Sequence, residues 1–148
     1  MGRMTAQRTT VRWADVDANG HARNTAYSEY GTDARLAHLA THGFTLARFH
    51  QLRLGPVVFT ETLTYRRELH LGDQVTVTVE LTALTSSGHR WGLQHQINRG
   101  EELAASVRLT GGWLSLDTRR LAAPPDALTA AMIALPRTDD FAEQPDSE

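Results

Sequence analysis

The sequence has no cysteine and no lysine; all 15 of its basic side chains are arginines. Without cysteine there are no disulfides, no thiolate nucleophile and no cysteine-type zinc site. Without lysine, Schiff-base chemistry and the lysine-dependent phosphate loop are excluded. A G-x-S-x-G elbow and a glycine-rich phosphate loop are absent as well. Catalytic groups must therefore come from Asp, Glu, His, Ser, Thr, Tyr or water. No apolar run approaches the roughly 18 residues of a membrane span. The start, "MGRMTAQRTT", lacks the apolar core of a secretory signal, so a cytoplasmic location is expected. It also fails the myristoylation pattern, because Ala stands at position 6. A net charge of −2 argues against nucleic acid as a partner.

What is present has the composition of an ordinary globular domain, 41% hydrophobic and 22% charged. The periodicity predicts one α+β domain over residues 1–136. "RTTVRWADV" (8–16) reads as a strand. From Asn24, Tyr27, Tyr30, Ala34, Ala37 and Thr41 recur at helical spacing, and Gly43 supplies a stop. Strands follow over 55–69, 74–84, 89–99 and 103–117, separated by turns at 72–73, 86–88 and 99–102. The Gly111-Gly112 pair suggests a bulge or bend in the last of them. Residues 124–135 read as a short helix entered through prolines. The acidic end, 137–148, is expected to be disordered. One small helix cannot cover both faces and the edges of so long a sheet, which predicts a homodimer.

"DVDANGH" (15–21) puts Asp15, Asp17, Asn19 and Gly20 at the first, third, fifth and sixth places of a calcium-binding loop. The twelfth place, which needs a bidentate carboxylate, is Ala26, and the ninth is Arg23. A strand precedes the loop where a helix should. No metal site is expected. Two readings remain, a strand-to-helix corner that uses these residues for turning and capping, or a carboxylate that does chemistry. Elsewhere, His38 and His42 share a helix face without the glutamate of a zinc protease, and His89 and His95 share a strand face; none is read as a ligand.

The wider run "RWADVDANGHARNTAYSEYGTDAR" (12–35) resembles the opening of hotdog-fold acyl-CoA thioesterases of the 4-hydroxybenzoyl-CoA thioesterase-like branch. Their pattern, D-x-D-x-x-G-H-x-x-N-x-x-Y and then Ala-Arg, is met by Asp15, Asp17, Gly20, His21, Asn24, Tyr27 and Ala34-Arg35. The resemblance continues through "YRRELHLGDQV" (65–75) and "GEELAASVRL" (100–109), and covers residues 8–125. It implies a hotdog fold, a five-stranded antiparallel sheet wrapped around one long helix with a short C-terminal helix, assembled as dimers or tetramers. It implies acyl-CoA as the substrate, with CoA part of that substrate and no separate cofactor.

The same resemblance makes Asp17 the catalytic carboxylate, as nucleophile or general base, and leaves Asp15 to order the corner. The chemistry agrees. A thioester has a good leaving group, so it needs an oxygen nucleophile and donors for the developing oxyanion, which a helix N-terminus can provide. His21 and Asn24 are candidates to orient water or the acyl group. Glu61, a charged outlier on an apolar strand face, is a candidate second acid or base. Gly20 allows the tight turn, and Tyr27 and Phe59, with Leu63 and Trp91, are candidates to line the substrate pocket. Arg90 is the first candidate for the CoA phosphates, ahead of Arg99, Arg119 and Arg120. The alternatives are a non-catalytic acyl-CoA-binding module and an acyl thioester dehydratase.

Overall fold

The helical spacing that begins at Asn24 becomes α1 (Asn24–Thr41), with Ala26, Tyr27, Tyr30, Ala34 and Leu39 buried along one stripe. It ends where Gly43 takes a φ of +88°, a left-handed cap that favours glycine. In this computed structural model, which describes residues 6–146, the strands are β1 (Ala6–Thr10), β2 (Leu54–Tyr65), β3 (Gln74–Thr78), β4 (Glu80–Thr85), β5 (Arg90–Arg99), β6 (Glu102–Ser115) and β7 (Arg137–Gln144). β3 and β4 lie end to end along one side of β5, and β6 lies along the other. β1 covers β3, β7 covers β4, and β2 forms the outer strand beyond β6. Every pairing is antiparallel except β4 with β7. α1 packs against β1, β3, β5 and β6. Two short helices, α2 (Leu46–Leu52) and α3 (Asp126–Ile133), complete the fold. Among the described residues no helix is long and apolar enough to cross a membrane.

The five expected strands are all present, but the sheet has seven. The strand expected over 74–84 is broken at Val79. Val77 pairs with Ile97 and Glu80 with Gln94, the same register on either side, but Thr78 and Val79 form no ladder pair with β5 between them. Side chains fill the gap. The Thr78 hydroxyl accepts from the Gln96 backbone N–H at 2.8 Å, and His95 Nδ1 donates to the Thr78 carbonyl at 2.8 Å. The expected strand over 8–16 also stops early, at Thr10, because Trp13–Asp15 coil into a single 3-10 turn. The glycines at 111 and 112 are needed for close approach. A Cβ at Gly111 would sit 2.3 Å from the Val57 carbonyl oxygen, and the register shift falls opposite, on β2 between Val58 and Thr60.

Within the acidic end, expected to be disordered, residues 137–144 instead form β7. Polar composition hid a strand whose role is to cover the edge of β4. Phe141 packs against the core, Arg137 lies 4.2 Å over its ring, and Asp140 pairs with Arg108 at 2.6 Å. α2 was also unforeseen, although Thr45 caps it by accepting from Arg48 N–H at 3.2 Å. Its Phe49 stacks on Trp113 with ring centroids 5.8 Å apart. His38 is buried, and its Nε2 donates to the Ala131 carbonyl at 2.8 Å, tying α1 to α3.

His95, fully buried on β5, accepts from Arg35 of α1 at 3.2 Å through Nε2. Burial, with the neighbouring Arg35 cation, lowers its pKa to about 4. The unfolded chain takes up this proton near the ordinary pKa of about 6.5, which the folded chain refuses. Stability is therefore lost as the pH falls from about 6.5 towards 4. By pH 5 this one group costs about 2 kcal/mol, and His95→Asn should flatten the acid limb of a urea-unfolding series by that amount. Removing residues 137–148 should lower the thermal midpoint, by about 2–4 °C per kcal/mol lost, and increase aggregation by freeing β4. An unchanged midpoint would mean that β7 stabilises nothing.

Candidate active site

The corner between β1 and α1 is built on Asp15. Its carboxylate is fully buried and accepts from the Arg12 backbone N–H at 3.0 Å, the Arg12 guanidinium at 3.0 Å and the Tyr30 hydroxyl at 2.9 Å. Burial alone would raise the pKa of Asp15; the hydrogen bonds from Arg12 and Tyr30 outweigh it and hold the group below the usual carboxylate range. Burial, and then the bond to Asp15, push the Tyr30 phenol up in turn. The Asp15 carbonyl also accepts from Arg23 N–H at 2.7 Å, which folds the chain back before α1 begins.

Between those anchors, Val16 and Ala22 bridge, and Gly20 takes a φ of +86° that closes the loop. Asp17 sits in this loop with its side chain 30% exposed. Its Oδ1 accepts from Asn19 N–H at 2.9 Å and His21 N–H at 3.4 Å, and His21 Nδ1 lies 3.3 Å from its Oδ2. Asp17 therefore orders its own loop and does not cap α1. The position before α1 is Arg23, which makes no side-chain cap, and no acidic residue lies in the first turn. The first N–H groups of the helix are left unpaired by side-chain carboxylates.

Asp17 and that first turn share one cleft of about 390 Å3, lined by Asp17, His21, Ala22, Asn24, Tyr27, Tyr65, Arg66, Arg67 and Glu68. The Tyr65 hydroxyl donates to the Asn24 carbonyl at 3.0 Å and ties the end of β2 to the start of α1. Tyr27 is buried beneath, edge-on to Tyr65 at 5.2 Å, and burial raises its pKa. The two aspartates have separate surroundings, Asp15 in the core and Asp17 in the cleft, and cannot act as paired ligands of one ion.

Of the residues singled out in the sequence, the structure gathers Asp17, His21, Asn24 and Tyr27 around this cleft, and Gly20 shapes its loop. Glu61, Phe59 and Arg90 are elsewhere. Glu61 accepts from the Ser28 hydroxyl at 2.8 and 3.0 Å, further along α1. Phe59 is 47% exposed on β2 beneath the Arg90 guanidinium, 5.6 Å from its ring centroid. The register shift between Val58 and Thr60 leaves Phe59 outside the β2–β6 pairing and breaks the alternation of that strand. Trp91 is buried in the core against Trp113, away from the cleft. Tyr65, Arg66, Arg67 and Glu68 were missed as site residues. Their signal was a charged cluster, "YRRE", just where a strand ends.

Residues 11–132 match the thioesterase-like superfamily. The chain belongs to that superfamily. Its fold is the hotdog fold, and its class of chemistry is thioester hydrolysis. Among solved structures it resembles a Staphylococcus aureus protein determined in complex with CoA, at 22% identity and a TM-score of 0.84, over 93% of this chain and 89% of that one. It also resembles a 1,4-dihydroxy-2-naphthoyl-CoA thioesterase from Synechocystis, at 19% identity and a TM-score of 0.79, over 88% and 96% of the two chains. A gentisyl-coenzyme A thioesterase superposes with a TM-score of 0.76 at 18% identity, over 86% and 98%. No curated protein matches the chain significantly.

The two aspartates should separate on substitution. Asp15→Ala leaves the buried Tyr30 hydroxyl unpaired and should cost about 2–3 kcal/mol in chemical unfolding. Asp17→Ala, at a half-exposed loop position, should cost less than about 1 kcal/mol. Equal losses would contradict the division between a buried anchor and a cleft group.

Proposed function

We propose that this thioester hydrolase acts on acyl-CoA, and that the reacting carbonyl lies between Asp17 and the first turn of α1. One observation carries the proposal. A half-exposed carboxylate, held by its own loop, faces an uncapped helix N-terminus across a shared cleft. The thioester oxygen lies towards the N–H groups at Asn24 and Thr25, where the helix dipole favours negative charge.

Asp17 takes one of two routes. As general base it removes a proton from water; the hydroxide adds to the carbonyl carbon and the C–S bond breaks. The proton passes to the departing thiolate, giving acid and CoA. As nucleophile it forms an anhydride, expelling the thiolate, and water then cleaves the anhydride. His21, beside Oδ2 of Asp17, fixes the carboxylate orientation in either route, and Asn24 contributes a carboxamide at the helix start.

The proposal includes a homodimer built on β2. The outer edge of this 12-residue strand pairs with no described strand, and Val58, Phe59 and Tyr65 are 40%, 47% and 48% exposed on it. So long and apolar an open edge is an association surface. It continues into an apolar groove of about 590 Å3 between α1, α2 and β2, where Leu36, Leu46 and Phe49 contribute walls. Pairing two copies across β2 covers the edge and brings Glu61 to the subunit boundary, the setting in which it acts as a second acid or base.

Free-thiol release from a panel of acyl-CoAs tests the activity. Asp17→Asn should lower kcat by roughly 100-fold or more with the fold intact, and retained turnover would remove Asp17 from the mechanism. Glu61→Gln should slow turnover in the assembled dimer; equal rates would confine it to the interface. Sedimentation should show a dimer that Val58→Asp weakens, and a monomeric wild type would refute the β2 assembly.

A further inference from the structure

The Asp17 cleft continues past Tyr65. A second groove, of about 460 Å3, opens on its far side, with Tyr65, Arg66 and Arg67 forming a wall common to both and Glu102 and Leu103 closing the other end. The main chain here is fixed. β2 ends at Tyr65, and the next two N–H groups, of Arg66 and Arg67, both donate to the Ala104 carbonyl, at 2.8 and 3.0 Å. The guanidinium groups are not fixed. Arg66 forms no ion pair among the described residues, and Arg67 meets Glu102 only at 3.8 Å. Glu102 is held instead by Arg99, at 2.8 Å, and this contact keeps its pKa below the usual range. Its charge is balanced from within the protein, so the two arginines at the junction remain available to an outside anion.

We propose that the groove beyond Tyr65 seats the phosphates of CoA on Arg66 and Arg67, while the pantetheine arm passes Tyr65 to place the thioester beside Asp17. This rests on the acyl-CoA reading above and gives that substrate its direction through the site. Arginine suits the task, because its planar fork can bond two phosphate oxygens at once. The assignment replaces Arg90. That guanidinium covers Phe59, its Nε is buried without a partner, and it lines neither groove. Both proposed residues are exposed and make no side-chain contact that the fold depends on, so their removal leaves the domain intact.

The test compares CoA with pantetheine, which keeps the arm and the thiol but lacks the phosphates and adenosine. By calorimetry the wild-type chain should bind CoA more tightly than pantetheine. In the double variant Arg66→Ala/Arg67→Ala the ratio of the two affinities should fall roughly tenfold or more, and added salt should shrink the wild-type ratio in the same direction. A wild-type chain with no preference for CoA, or a double variant with the wild-type ratio, overturns the proposal. The acyl-CoA panel fails separately. If no thiol is released while the arginine-dependent preference persists, hydrolysis at Asp17 is wrong and the phosphate seat stands.

Discussion

The Asp15 carboxylate is withdrawn from solvent, and its bonds to Arg12 and Tyr30 tie the end of β1 to the second turn of α1. A buried carboxylate is tolerated only when its lone pairs are filled, so the three donors and the acceptor must arrive together. That requirement fixes where the chain turns, and the turn fixes the loop from Val16 to Ala22. Asp17 then emerges on the opposite side of the corner, in the cleft that the uncapped helix start shares. The cleft carboxylate, the one proposed to react, is thus positioned by a buried neighbour that lies outside the cleft.

A second buried polar contact sets how the sheet wraps α1. His95 reaches from β5 to the break between β3 and β4 and to Arg35 on the helix. The helix lies so near at this point that a Cβ on Gly31 would come 2.7 Å from the His95 ring. Side chains thus repair the ladder where β3 gives way to β4, and one glycine allows the close approach that the repair needs. Thr78 is thereby left paired across the break.

The fold was legible to the extent that alternation and helical spacing are local. α1, β5 and β6 fell close to their expected bounds because each carries its own period, whereas β2 ended at Tyr65, four residues short of the expected Leu69. β7 was hidden because its residues are acidic, and the reason it is ordered, the open edge of β4, lies elsewhere in the chain. That Asp15 orders the corner was also legible, through the resemblance of residues 12–35, and Asp17 lies apart from it in the cleft. The placement of Phe59, Arg90 and Trp91 was not, since one register shift on β2 and the depth of the core decide which faces meet the cleft.

By itself the sequence determined the chemistry that is available: no thiol, no amine, and an aspartate-bearing loop ahead of a helix with the family's spacing. These follow from residue identity and from order along the chain. Only the tertiary structure decided that Tyr65, Arg66 and Arg67 stand beside Asp17, because the contact joins the end of β2 to the start of α1 across 41 residues of sequence. Neither segment carries a local signal of the other. Their meeting is a consequence of how the sheet closes on the helix.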